Sequence, residues 1–493
     1  MGPLARAARP RRGAEARVLW NAGGLASGPL ALALGEELTT PLLLLVGLLA
    51  AAPEPPSGAG LRFGFAKRPI TPALAGNPIY LAGFGHDRKA TGVHDDLWAR
   101  AVAVSDGRQK LAIVAIDLIG VFHADVAKAR ALLERKVPGA RLIVSSTHNH
   151  EGPDTMGLWG SGRFSSGVDP SYLESVRSAI ADVAAEALAR LQPARLVLAK
   201  TRTPGLVEDG RLPRVIDDTL VAMRVIAEDG ATLGTIVNWS SHPEALGGSN
   251  TLITSDFPHF LRTRMEERLG GTALFVVGSI GGLMTPLGLK LTGPDGREFA
   301  KDSFELARAV GERAADAALA ALETGRPSAS ATLEHRQATV FVPLENRLFR
   351  LAMFLGVLDR EVYSGGKRAT SAFGDDLMTE IGYLRLGDAE VLLVPAEFYP
   401  ELVLGGIQHP QEPGADFPGA PRERALFTLL RSEYKLVFGL AGDEIGYVIP
   451  RSQWDAKKPF AYGRAEDQYG EVNSVGPSAA ARLALAFERL LGR

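Results

Sequence analysis

The chain has 493 residues, 46% of them hydrophobic and 22% charged, with 54 Lys and Arg against 56 Asp and Glu. That usage is globular, excludes a wholly disordered or fibrous chain, and lacks the basic excess of a bulk nucleic-acid binder. Cysteine is absent, which excludes disulfides, iron–sulfur clusters and thiol nucleophiles and leaves His, Asp, Glu and Tyr for any transition metal.

Residues 1–60 read as a leader. Arg6, Arg9, Arg11, Arg12 and Arg17 precede an apolar run from Pro41 to Ala52, which ends in small residues before Pro53-Glu54-Pro55-Pro56. A run of about a dozen residues fits a secretory core better than a membrane span of roughly 20. Export is therefore expected, with the leader either cleaved or kept as an anchor. Glu36 and Glu37 lie where that reading wants positive charge, and a buried core helix is the alternative.

From residue 61 strands and helices alternate. Short β-branched runs predict strands over 110–117, 141–146, 233–239, 273–277, 391–394 and 434–440. Helices are expected over 123–136, 170–191, 304–323 and 478–491. Asp169 followed by Pro170 is a helix start signal, and Leu306, Val310 and Ala314 recur about a turn apart. The pattern is α/β, with mixed β-sheets and packed helices. No internal repeat is visible. A subdomain seam could fall near 324–330, but residues 61–493 read as one catalytic unit.

Five clusters could carry chemistry. In Ser145-Ser146-Thr147-His148-Asn149-His150-Glu151-Gly152-Pro153 a strand runs into His-x-His. Alternate residues of an extended segment share a face, so His148 and His150 can converge, and imidazole is the commonest metal ligand; two polar loop histidines are the plainer reading. In Asn238-Trp239-Ser240-Ser241-His242-Pro243-Glu244 a second strand ends at a histidine. Asp256, soon after, is either a carboxylate orienting a ligand histidine or only a helix cap, and His259 reads as a surface or packing residue. Gly278-Ser279-Ile280-Gly281-Gly282-Leu283-Met284-Thr285-Pro286 is a glycine-rich turn where backbone can approach a ligand. It is not a nucleophile elbow, because Val277 holds the first glycine position. Pro395-Ala396-Glu397-Phe398 puts a carboxylate directly after a buried strand, a costly place without a metal or arginine partner; Glu401 is expected on a solvated face. The fifth cluster runs from Gly439-Leu440-Ala441-Gly442-Asp443-Glu444-Ile445-Gly446-Tyr447-Val448-Ile449-Pro450 to Gln468-Tyr469-Gly470-Glu471, where Tyr447 is either a half-buried strand aromatic or a phenol that binds a cation or donates a proton. Each cluster sits just past an apolar strand, the edge where open α/β sheets bind ligands.

In order along the chain, these segments resemble the neutral/alkaline non-lysosomal ceramidase family. Gly64-Phe65-Ala66-Lys67-Arg68-Pro69-Ile70-Thr71-Pro72 and Gly92-Val93-His94-Asp95-Asp96-Leu97-Trp98 look like its N-terminal signature. His148-Asn149-His150-Glu151-Gly152-Pro153 is similar to its His-Thr-His-Ser-Gly-Pro, and Pro395-Ala396-Glu397-Phe398 to its Pro-Gly-Glu-Phe. The resemblance implies one zinc ion per chain bound by His148, His242, Glu397 and Tyr447. It implies catalytic roles for His150, Tyr447 and Thr285, and substrate contacts at Arg211, Gly281, Gly282 and Tyr469. The implied reaction is hydrolysis of the amide of ceramide or a related N-acyl lipid, with a lipid-like substrate, contact with a membrane surface and no nucleic acid partner. The chain departs from the pattern at Gly282-Leu283-Met284-Thr285-Pro286, where the family has Gly-Asp-Val-Ser-Pro, and it ends where full-length members continue into an immunoglobulin-like domain. A metal-dependent ester or phosphoester hydrolase, or a non-catalytic lipid- or glycan-binding relative, are the rival readings.

Overall fold

The computed structural model describes residues 60–370 and 373–493; the expected leader falls outside them. The first half supplies β1 (Arg62–Pro69), β2 (Trp98–Ser105), β3 (Lys110–Ile116), β4 (Ala140–Ser146), β5 (Gln192–Arg202), β6 (Thr219–Ala227), β7 (Thr232–Trp239) and β8 (Thr272–Val277). They form one sheet in the order β8-β7-β6-β5-β1-β2-β3-β4, with the short strand Arg326–Pro327 added on β5. The outer pairs, β3 with β4 and β7 with β8, are parallel, and the inner neighbours are antiparallel.

Parallel neighbours need a crossover. Helix α1 (His123–Lys136) supplies one and α3 (Phe257–Leu269) the other, while α2 (Pro170–Ala189) and α4 (Phe304–Glu323) follow β4 and β8. The sheet order is thus symmetric about the β5–β1 contact. Each half runs strand, hairpin, helix, parallel strand, helix. The fold contains a topological repeat that the sequence reading did not find. The helix signals hold: Asp169 accepts from the Ser171 and Tyr172 amides, and Ser303 caps α4.

A second, six-stranded sheet is built on β9 (Leu333–Pro343), β10 (Asp376–Leu386), β11 (Ala389–Leu393) and β12 (Tyr434–Phe438), with the short strands Val362–Ser364 and Lys367–Ala369 at its edge. Strands β9 and β11 pair with β10, and β12 runs parallel to β11. Alternation sorts the strand residues by face. In β3, Ala112, Val114 and Ile116 pack under α1 and α2, whereas Leu111, Ile113 and Ala115 meet Leu384, Val391 and Phe438 of the second sheet. Helices α3 and α4 cover the other half of the first sheet. Helix α7 (Ala479–Leu491) packs on β9 and β10, and the short helices α5 (Arg347–Phe354) and α6 (Pro400–Leu404) lie near the same core.

The first sheet curls, so its two outer strands approach one another. The chain leaving β12 fills the gap: the Gly439 amide donates to Val277 O at 2.9 Å, and Ala441 bridges to Ser145. The ends of β4, β7, β8 and β11 are thereby gathered in one place, and the sequence clusters lie there. No helix among the described residues is long and apolar enough to cross a membrane.

Candidate metal centre

Three imidazoles meet beyond these strand ends. His148, His150 and His242 are buried and offer ring nitrogens within 4.8 Å of one another. The convergence of His148 and His150 does not come from an extended segment. His148 takes a φ of 65° directly after β4, a region that non-glycine residues rarely occupy, and this turn aims its ring at the others. The loop is braced from behind. Arg88 donates to the carbonyls of His150 and Ala82 and pairs with the buried Glu151. Burial pushes the Glu151 carboxyl up to about 8. Gly83 lies so close to the His150 ring that a Cβ there would come within 2.3 Å of it.

Backbone carbonyls fix two of the ring orientations. His148 Nδ1 lies 2.7 Å from Ile119 O, and His242 Nδ1 lies 2.9 Å from Met284 O. A carbonyl only accepts, so each Nδ1 donates and each Nε2 is left facing the centre. Both Nε2 atoms crowd one carboxylate oxygen, Glu397 Oε2, at 3.3 Å from His148 and 3.0 Å from His242. Burial works against protonation of His242, but Glu244 and Glu397 outweigh it and favour the charged ring; a proton on Nε2 closes this contact, and a divalent ion would take the proton's place. Burial works to raise the Glu397 carboxyl, but the two histidines outweigh it and hold it low. For His150, burial and then its two histidine neighbours drive protonation well down, which leaves a neutral imidazole. Both of its ring nitrogens lack a hydrogen-bond partner. This donor set of three imidazoles and a carboxylate fits a divalent ion such as zinc.

Glu397 and Tyr447 face each other in a two-residue parallel pairing of Glu397–Phe398 with Tyr447–Val448. Burial, then the Glu397 charge, push the Tyr447 phenol well above its ordinary range. The cavity in front of the centre is lined by Ile119, Phe122, Met156, Trp159, Phe349 and Met353, besides His148, His150, Glu397, Tyr447 and Tyr469. Arg360 lines it too, but its guanidinium is held by Asp443 at 2.5 and 2.9 Å.

Of the remaining sequence candidates, Tyr469 is at the cavity, its ring 5.7 Å from that of Tyr447. Thr285 reaches the centre indirectly, donating to Glu244 Oε1 at 2.5 Å, while Glu244 Oε2 lies 3.3 Å from His150 Nδ1. Gly281 and Gly282 do not line this cavity. Gly281 lets its turn close onto the Glu397–Phe398 segment, its amide donating to Phe398 O at 2.8 Å, and Gly282 faces Asp209. Arg211 is buried behind Tyr469, where Glu471 and the carbonyls of Tyr469 and Gln453 take up its donors. Asp256 acts as the cap of α3, accepting from the Phe257 amide, and burial raises it to about 7. His259 lies elsewhere, beside Asp95 and His94. Glu401 is not solvated as expected: it is buried and raised to about 8.

Two carboxylates stood inside the sequence clusters but were given no role there. Glu244 stands two residues after His242, a spacing that could have flagged it. Glu444 lines the cavity with Oε2 unpartnered, and burial, then the Glu397 charge, push it well above the usual carboxylate range. Nothing local marks it.

The described fold and centre define a class: a mixed α/β protein whose strand ends carry a buried histidine and carboxylate cluster able to hold a metal. No family model matches the sequence, and no curated protein is similar to it. Among solved structures the chain is similar to a neutral ceramidase from Pseudomonas aeruginosa, with a TM-score of 0.65 and 19% identity over 88% of this chain and 74% of that one. A ceramidase complexed with C2 matches with a TM-score of 0.65, 18% identity, and 88% and 75% coverage. The chain has the neutral ceramidase fold.

Proposed function

We propose that this protein is a zinc-dependent amidase that hydrolyses the amide of an N-acyl lipid, ceramide or a ceramide-like compound. Water adds across the C–N bond, releasing a free fatty acid and an amine. The observation that carries the reading is the convergence of two imidazole Nε2 atoms on one buried carboxylate oxygen, with a third imidazole beside them, at the end of an apolar cavity. The ceramidases that share the fold set the substrate class.

His148, His242 and Glu397 would hold the ion, with Tyr447 beside them. When bound, zinc supplies Lewis acidity toward a carbonyl and lowers the pKa of water. The chain's own residues do the rest. His150 is neutral and unpartnered, so it can take a proton from water and return it to the leaving amine. The Tyr447 phenol stays protonated and can donate to the developing oxyanion. Phe122, Met156, Trp159, Phe349 and Met353 offer an apolar channel to the acyl chain. Arg360, which lines the cavity, is committed to Asp443 and adds no free charge for a phosphate beside the ion. Export belongs to the proposal as well, on the strength of the apolar run 41–52.

The test is turnover of a fluorescent N-acylsphingosine by the purified chain beside His242→Ala, with zinc measured in both. Turnover and zinc in the parent, and loss of both in the variant, are expected. Full zinc and activity in His242→Ala would overturn the ligand assignment. Zinc without turnover in the parent would mark a binding relative instead.

A further inference from the structure

Helix α5 is apolar on both faces. Its inner face sends Phe349 and Met353 into the cavity. Its outer face carries Leu348 and Leu351, followed by Leu355 just past its end: one stripe with spacings of three and four residues. Leu348 is 59% exposed, Leu351 45%, Leu355 50% and the neighbouring Phe354 63%. Single exposed apolar residues are ordinary, but a contiguous stripe marks a site of contact.

The facing wall of the cavity ends the same way. The loop after Asp154 lines it with Leu158 and Trp159, and Gly157 seats that loop so tightly on Val357 that a Cβ would lie 2.1 Å from its carbonyl. Farther along, the loop exposes Phe164. Exposed cations flank this apolar rim. Arg163 precedes Phe164, Arg347 opens α5, and the helix carries no acidic residue.

We propose that this rim docks on a lipid surface. Helix α5 would lie along it with the leucine stripe among the acyl chains, and Arg163 and Arg347 at the level of the phosphates. Glu345 and Asp359 are also exposed beside α5, so it is the apolar stripe, continuous with the cavity wall, that selects a lipid surface over a protein partner, with Arg163 and Arg347 as the groups that would meet the phosphates. Because one helix forms both the docking face and the cavity wall, a lipid tail could pass along α5 without crossing water. That last step rests on the function proposed above; the docking does not.

The absence of cysteine makes a local test practical. Leu351→Cys and Phe354→Cys, each carrying an environment-sensitive fluorophore, would be compared with the label at Glu323→Cys on exposed α4. The full chain would be mixed with phosphatidylcholine vesicles with and without phosphatidylglycerol. The labels at 351 and 354 should shift to the blue, brighten severalfold and be quenched by a lipid-borne quencher, more strongly with phosphatidylglycerol; the label at 323 should not respond. Arg347→Gln should weaken the preference for anionic vesicles. A water-like signal at 351 while the chain sits on vesicles, or no vesicle binding, would overturn the proposal. So would shielding of the 351 label that grows with protein concentration in the absence of lipid, which would make the rim a self-association face. No hydrolysis is measured, so docking and amidase activity can fail separately.

Discussion

His148 pays for its place with a left-handed backbone. Its φ of 65° is held by the Arg88 brace and by the bond from its ring to Ile119 O, and strain of this kind survives only where the surroundings over-determine it. Glu244 plays a related part for His150, tied by Thr285 on one oxygen and set beside Nδ1 with the other. A carboxylate behind a working histidine orients the ring and raises its basicity, and losing one typically costs about 10–100-fold in metal affinity or activity. Glu244→Gln should lower turnover in that range while zinc content is retained; unchanged turnover would detach Glu244 from His150. Glu401 allows a prediction with the opposite emphasis. Burial first, with Asp209 adding, raises it to about 8, so between its unfolded value and 8 the folded state holds a proton that the unfolded chain releases. The stability it contributes is present at low pH and is lost as pH rises, at up to about 1.4 kcal/mol per pH unit. Denaturant titrations of Glu401→Gln between pH 5 and pH 8 should show a flatter decline than the parent, and equal slopes would show that Glu401 titrates normally.

Elements buried on both faces were the legible ones. The runs Lys110–Ile116 and Thr272–Val277 carry unbroken apolar residues, and the start of α2 is written in Asp169 and Pro170. Strands such as β1 and β2 mix Lys and Arg into their pattern because those cations find Glu266 on α3, a partner far away in sequence. The site was legible as polar clusters at strand ends, and the family resemblance singled out His148, His242, Glu397 and Tyr447 among them. The reason they meet was not legible. The turn at His148 and the two-residue pairing of Glu397 with Tyr447 are tertiary arrangements without a local signature. Helix α5 was missed because eight residues, two of them arginine, are too few for a period to be read. Packing between elements also overrides propensity. Gly311 sits inside α4, where alanine is ordinarily better by about 1 kcal/mol. A Cβ there would lie 2.4 Å from Phe257 O on α3. Gly311→Ala should therefore destabilise, by about 1–3 kcal/mol, measured by urea denaturation. A more stable variant would mean that the two helices can separate at little cost.

At the scale of the molecule, the two matching halves of the first sheet must be locked together for the centre to exist, since His148 belongs to one and His242 to the other. The lock is polar. Arg262 on α3 meets Asp117, at the end of β3, through two hydrogen bonds of 2.7 and 2.9 Å, and both side chains are buried. Asp117 also accepts from the Trp98 amide and from Ser255 Oγ. Two residues beyond it lies Ile119, whose carbonyl sets the His148 ring. Removing one partner of a buried pair leaves the other charged in a dry site, at a cost of about 3–5 kcal/mol. Arg262→Met should lose stability of that order and bind zinc more weakly, because Asp117 would shift to find water and take the Ile119 carbonyl with it. Asp117→Asn combined with Arg262→Met removes the stranded charge while keeping an acceptor for the Trp98 amide. It should recover part of the loss, with a coupling of about 0.5–3 kcal/mol between the two positions. Urea denaturation and zinc titration of the single and double variants would measure both. Strictly additive losses would mean that the halves are held by their apolar contacts alone.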